Sequence, residues 1–363
     1  MLSEIGSNFW LNPHKTLADA PIGTPAQFNC VGSDYVWLST GRSAIKYVIQ
    51  TIERRCPTIK RIAVLPSFTC DTVFEPFLNA GYQVYYYPVE KNLTTTSRSI
   101  RQVVNEHDAS IVLFHRYFGF DTIDLQINDF CDEMRRLGKY TIEDCTQCLY
   151  SGFNRAPVDF MVGSIRKWTG TPDGGFAVCR DGKFETKPLK SDKQLETAKL
   201  KASYAKYRYL FENTGDKLEM LAMYRCAEDI LDNRTDIYLI SDTSSKVQAN
   251  LDVNDLKRKR RDNFNVLSTY LKVSSLPLFP LIDGSEVPLY FPIFVNDRAS
   301  LQKHLVQNAI YAPIVWPKCE VQSKADDGAE NAYEHLLCIP IDQRYETDEM
   351  KKIVAIINDF YNL

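Results

Sequence analysis

Between residues 42 and 180 the apolar positions alternate between a helical and a strand period. Arg42 to Arg55 carries Ile45, Val48, Ile49 and Ile52 at the spacing of a helix with one buried face. Arg61 to Leu65 is a short apolar run stopped by Pro66, which predicts a buried strand. The same reading gives a helix over Asp71–Ala80 with Gly81 as its C-cap, and a strand over Gln83–Tyr87 closed by Pro88. Ser97–Glu106 (helix), Ser110–Phe114 (strand), Asp124–Leu137 (helix ended by Gly138) and Lys139–Glu143 (strand) continue the series. Strands separated by helices predict an α/β fold with a mostly parallel central sheet flanked by helices.

Beyond residue 180 the pattern changes. Residues 181 to 210 are rich in lysine and predict a solvated helix leading out of the sheet, followed by a helix over Phe211–Asp232. The basic run Lys257–Arg261 sits among Leu256, Phe264, Leu267 and Leu271 at helical spacing, which predicts an amphipathic helix with a solvated basic face rather than a nucleic-acid patch. From Leu276 come proline-punctuated apolar runs, then helices over Arg298–Gln307 and Asp348–Tyr361. The expected division is a large α/β domain over 1–250, with an N-terminal arm, and a smaller C-terminal α+β domain over 251–363.

Composition narrows the function classes. The 363 residues are 44% hydrophobic and 25% charged with a net charge of −3, so a soluble globular protein is expected, without the basic footprint of a nucleic-acid binder. No apolar run reaches the roughly 20 residues of a membrane span. The start shows neither a basic nor an apolar signal region, and a cytoplasmic setting is the expectation. In a reducing compartment the ten cysteines read as small buried hydrophobes, Cys145-x-x-Cys148 included, since no second ligand pair accompanies it. P-loop, dinucleotide-binding, zincin and nucleophile-elbow signatures are missing.

Three segments carry chemistry. Thr40-Gly41-Arg42-Ser43 opens the first helix, where free backbone N–H groups suit a phosphate, although an ordinary N-cap reads the same way. Glu143-Asp144 ends an apolar strand, and ligands of parallel sheets bind beyond such ends. A carboxylate there can keep a pyridine nitrogen protonated, or simply cap a helix. In Asp159–Ala177, Lys167 stands between an apolar strand and a Gly/Pro-rich return, flanked by Ser164 and Trp168. A desolvated lysine is a Schiff-base nucleophile; an isolated one is usually solvated surface.

Taken in order, these segments, with Leu65–Cys70, Gln147 and Gly174-Gly175, resemble the fold type I pyridoxal-phosphate (PLP) enzymes, and more narrowly the DegT/StrS-type sugar aminotransferases. Phe291-Pro292-Ile293 and Ile339–Gln343 resemble that family's C-terminal blocks. The resemblance implies PLP as cofactor and Lys167 as the lysine that bonds it and moves the proton. It further implies Asp144 at the pyridine nitrogen, Gln147 near the ring hydroxyl, and Gly41, Arg42, Ser43 and Ser164 at the phosphate. Cys70 stands where many members place a ring-stacking aromatic residue, with Phe68 as a substitute. Val162 replaces the usual serine, and Leu239 replaces an asparagine that reaches the partner's phosphate, leaving Ser241 as the polar substitute. Arg116 and Arg166 are candidates for a substrate carboxylate.

The implied activity is amino transfer from an amino acid, glutamate above all, to a nucleotide-linked keto-sugar in surface polysaccharide or deoxyaminosugar synthesis. The alternatives are a PLP-dependent sugar dehydratase, disfavoured because that branch replaces the lysine, and a non-catalytic protein retaining the fold. A homodimer is expected. The aromatic residues of the arm over 1–35, Phe9, Trp10 and Phe28 among them, are candidate anchors at its interface.

Overall fold

The computed structural model describes residues 4–273, 281, 284–318 and 326–363. The apolar stretch from Leu276 to Pro280 and Cys319 lie outside the described residues.

Seven strands form the central sheet: β2 (Asp34–Leu38), β3 (Ile62–Pro66), β4 (Gln83–Tyr87), β5 (Ile111–His115), β6 (Tyr140–Asp144), β7 (Phe160–Ser164) and β8 (Gly175–Cys179). Their order is β2-β8-β7-β6-β5-β3-β4, and β8 alone runs against the rest. Helices α1 (Gly41–Arg55), α2 (Asp71–Asn79), α3 (Ser97–His107) and α4 (Ile127–Arg136) connect the early strands. Strands β5 and β7 are buried along their whole length, as a sheet covered on both faces requires.

Side-chain parity divides the sheet into two cores. Leu65, Ile111, Leu113, Ile142, Phe160 and Val162 pack with α1 residues such as Ile45 and Val48 on one face. Val64, Val112, Phe114, Met161, Phe176 and Val178 belong to the core of the opposite face. Burying Ile45, Val48, Ile49 and Ile52 of α1 contributes about 6–12 kcal/mol as an upper figure. Thr40 caps that helix, its Oγ1 accepting from the Ser43 N–H at 3.0 Å, and Arg54 and Arg55 close it.

The rest of the chain is α5 (Lys193–Tyr207), α6 (Lys217–Asp232), α7 (Asp242–Ala249), α8 (Val253–Tyr270), α9 (Arg298–Gln307), α10 (Asp327–His335) and α11 (Thr347–Phe360). Two short sheets complete it: β9 (Phe291–Phe294) with β11 (Leu336–Ile339), antiparallel, and β1 (Ile5–Gly6) with β10 (Ile310–Tyr311), parallel.

Several expectations are corrected. The helix expected from Phe211 begins at Lys217, after a π-turn over Arg208–Glu212. The lysine-rich α5 is not a solvated helix: Lys199 and Lys206 are buried, Lys206 donating to the Asn8 carbonyl at 2.6 Å. Nor is the basic run of α8 wholly solvated, because Arg260 is fully buried over the Trp168 ring, 4.6 Å from its centroid. The arm packs on its own chain. Phe28 stacks on Phe176 at 5.6 Å and meets Tyr150 edge-on at 5.3 Å, Trp10 lies 5.6 Å from Phe211, and Arg344 covers Phe9 at 4.0 Å. These aromatic residues therefore have partners without a second subunit.

Candidate active site

Parity and register assemble the site. His115 pairs with Asp144 across β5 and β6, Asp144 with Val162, and Ser164 with Gly175. His115, Asp144 and Ser164 thus end their strands at one edge of the sheet, on the face that carries α1. Glu143, one residue earlier, points to the other face, where Arg116 and Arg155 hold it.

Gly175 brings in the N-terminus of α1. A Cβ on Gly175 would lie 2.3 Å from the Thr40 carbonyl carbon and 2.7 Å from the Gly41 nitrogen, so only glycine admits this approach. Thr40 takes the Ser43 N–H. The first-turn amides of Gly41 and Arg42 have no partner within the helix, and both residues line the cavity.

Lys167 sits on the turn after β7. Trp168 anchors this turn by donating its Nε1–H to the Thr146 carbonyl at 2.7 Å, two residues past Asp144. Gln343 also holds it, donating to the Trp168 carbonyl at 2.6 Å. The lysine lines a cavity and is itself exposed there. Desolvation by the surrounding walls and the neighbouring Arg166 charge hold its ammonium below the ordinary lysine range.

The cavity measures about 400 Å³. Gly41, Arg42, Ser43 and Ser164 line one part of it, and Cys70, Asp144, Gln147 and Lys167 another, so all eight residues singled out in the sequence meet there. Asp144 is buried, which pushes its carboxyl above the usual range against the pull of the Thr146 N–H at 2.9 Å. Gln147 accepts from the Phe118 N–H through Oε1 at 2.8 Å, and its buried Nε2 has no partner among the described residues.

The other candidates divide. Phe68 is a core residue between Tyr117, Trp316 and Tyr333 and does not line this cavity. Arg116 is committed to Glu143 and to Asp121 at 2.5 Å, so it is closed to a substrate carboxylate; Arg166 does line the cavity. Ser241 is buried, donates to Asp173 at 2.6 Å, and does not line the cavity.

The sequence reading missed His115, Glu228 and Trp316, which also line the cavity. His115 shares its Nε2 with the Thr69 hydroxyl at 3.1 Å, its Nδ1 has no partner among the described residues, and burial pushes its pKa down to about 3. The signal for it was present, since extending the strand expected over Ser110–Phe114 by one residue ends it on His115. No group of histidine, cysteine and carboxylate side chains that could hold a metal occurs among the described residues. No helix among them is long and apolar enough to cross a membrane.

These residues fit PLP. The unpartnered Gln147 Nε2 offers a donor, the buried Asp144 carboxyl a proton-holding partner, and the α1 amides an anion cradle.

No protein-family model matches the chain, and no curated protein matches it in sequence. Solved structures do match in shape. An aminotransferase involved in the biosynthesis of pseudoaminic acid, PseC from Helicobacter pylori, superposes with a TM-score of 0.66 at 13% identity over 98% of each chain. A DegT DnrJ EryC1 StrS aminotransferase from Brucella abortus gives 0.60 at 15% identity, over 94% of this chain and 91% of that one. A putative sugar aminotransferase from Streptococcus pneumoniae, in its PLP form, gives 0.66 at 12% identity over 98% of each. Over nearly its whole length, this chain has the α/β fold of these sugar aminotransferase structures.

Proposed function

We propose that this protein is a PLP-dependent aminotransferase, moving an amino group from an amino acid, with glutamate as donor, to a nucleotide-linked keto-sugar. The observation that carries the reading is the meeting of Lys167, Asp144, Gln147 and the α1 N-terminus in one cavity, on a fold shared with sugar aminotransferases.

In this reading Gly41, Arg42 and Ser43 bind the cofactor's phosphate at the helix terminus, with the Ser164 hydroxyl beside them. Asp144 holds a proton at the pyridine nitrogen, and Gln147 orients the ring through its free Nε2. The bound cofactor supplies an electron sink for the charge left when a substrate carbon loses a proton. Lys167 provides a nucleophilic Nζ, since its depressed pKa keeps more of it neutral, and then takes up and returns the proton at that same atom. Trp316, Tyr290 and Leu289 give one part of the cavity an apolar wall. The homodimer and the cytoplasmic setting belong to the same proposal.

The test begins with the cofactor. Protein mixed with PLP should develop a visible absorption band that borohydride converts to a stable adduct, found by peptide mass spectrometry on Lys167. Incubation with glutamate and a panel of nucleotide keto-sugars should then add an amino group to a sugar. An adduct on another lysine sinks the site assignment, and transfer to simple 2-oxo acids alone sinks the sugar assignment.

A further inference from the structure

The turn that carries Asp144 has a second side that the site does not use. Cys145 follows Asp144, does not line the cavity, and packs in the core on the sheet face opposite α1. There its sulfur meets that of Cys30 from the N-terminal arm, Sγ to Sγ at 3.6 Å, and both thiols are free.

Arg155 stands beside the pair. Its guanidinium donates to the Cys148 sulfur and to the Cys148 carbonyl, both at 2.8 Å. It also donates to the Phe28 carbonyl at 3.4 Å, the same oxygen that accepts from the Cys30 thiol at 3.5 Å. A guanidinium close to thiols favours their ionised, nucleophilic form.

We propose that Cys30 and Cys145 are a peroxide-sensitive dithiol whose disulfide displaces the Asp144 turn and loosens the cofactor site. The oxidant is a small hydroperoxide. Cys30 reacts first, because the arm is a surface segment here and Cys30 stands between the exposed Asn29 and Val31. Its thiolate takes the terminal oxygen of the hydroperoxide and becomes a sulfenic acid, while the O–O bond breaks and the alcohol leaves with the thiol's proton. Cys145 is the resolving thiol, which burial and then the Cys30 sulfur beside it hold protonated until that step. Its sulfur displaces hydroxide from Cys30, the S–S bond forms, and the hydroxide leaves with the Cys145 proton as water. In sum the two thiols lose two electrons and two protons, and the hydroperoxide becomes one alcohol and one water.

Bonded sulfurs sit about 1.5 Å closer than this contact. Cys145 does not shift alone. The Asp144 carboxylate accepts from the Thr146 N–H at 2.9 Å, across Cys145, and the Thr146 carbonyl holds Trp168, next to Lys167, at 2.7 Å. The pull of a disulfide therefore reaches Asp144, Gln147 and the Lys167 turn together. The dithiol is a property of the chain itself; only its effect on PLP rests on the aminotransferase reading.

The test treats the reduced full chain with tert-butyl hydroperoxide, blocks the remaining thiols with iodoacetamide, and maps the peptides without reduction. A peptide pair joined through Cys30 and Cys145, two hydrogens lighter than its reduced parts, is expected. Absorbance titration of the joined protein should show PLP bound about tenfold more weakly, the scale of one lost charge-assisted contact, with dithiothreitol restoring it. Cys30→Ala should bind PLP as the reduced wild type does and be unmoved by peroxide, which separates the pair from oxidation of Cys70 in the cavity. A join between Cys145 and Cys148, no join, a joined protein with unchanged affinity, or a peroxide effect that persists in Cys30→Ala overturns the proposal. If the reduced protein binds no PLP, the aminotransferase reading falls and hydrogen exchange decides the dithiol. Faster exchange over residues 144–148 in the joined protein then upholds the displaced turn, and unchanged exchange overturns it.

Discussion

Replacing Gly175 by alanine tests whether the α1 N-terminus is the phosphate cradle. The new methyl carbon would lie 2.3 Å from the Thr40 carbonyl carbon and 2.4 Å from its oxygen. Non-bonded carbons need roughly 3.5 Å, and the opposing atoms are backbone, so the first turn of α1 must retreat by about 1 Å. Such overpacking costs about 1–3 kcal/mol. In a chain of 363 residues, at an unfolding entropy of about 2.1 cal/mol/K per residue, that lowers Tm by about 1–4 °C. The same retreat carries the Gly41 and Arg42 amides away from the phosphate. Losing one charge-assisted hydrogen bond, about 1.5–3 kcal/mol, weakens PLP binding about 10- to 100-fold. Absorbance titration with PLP and thermal unfolding measure both effects. Gly152→Ala is the control, because its methyl would meet nothing nearer than 3.6 Å and neither Tm nor affinity should move. A Gly175→Ala protein with lowered Tm and unchanged PLP affinity would refute the cradle.

Other expectations follow from the same geometry. Asp144→Asn keeps shape but removes the charge, so PLP should bind modestly less tightly while turnover in single-turnover assays falls by orders of magnitude; near-normal turnover would reduce Asp144 to a turn cap. Arg116→Met leaves the fully buried Glu143 with Arg155 alone, at 3.3 Å, and should cost about 3–5 kcal/mol in urea unfolding; a loss under about 1 kcal/mol would show that Arg155 suffices. Because desolvation and Arg166 lower the Lys167 pKa, the rate of band formation with PLP should rise with pH and level off below 10.5. Removing that neighbouring positive charge in Arg166→Gln should move the midpoint upward, and a midpoint already at 10.5 in the wild type would contradict the desolvation of Lys167. Light scattering should find a two-fold dimer; an active monomer would show that one chain completes the site.

Much of this molecule was written in local sequence. The alternation of strand and helix periods from Arg42 to Glu143 located α1 to α4 and β3 to β6, since the two periods follow from backbone geometry that each segment carries itself. Strand ends also marked Asp144 and Lys167, because residues just past an apolar strand must emerge at one edge of a parallel sheet, and the helix start at Thr40–Ser43 marked the α1 N-terminus. What tertiary structure alone decided is which polar side chains are spent inside the fold. Arg260 stands in a run of five basic residues that reads as solvated, yet Trp168, Pro288 and Leu289, all far off in the chain, close over it. Lys199 and Lys206 look like surface until α6 and the arm cover them. Arg116 reads as a substrate ligand until Glu143 claims it from the neighbouring strand. A residue's period tells which way its side chain points relative to its own element. The charge and bulk it meets there come from segments whose approach only the assembled chain determines.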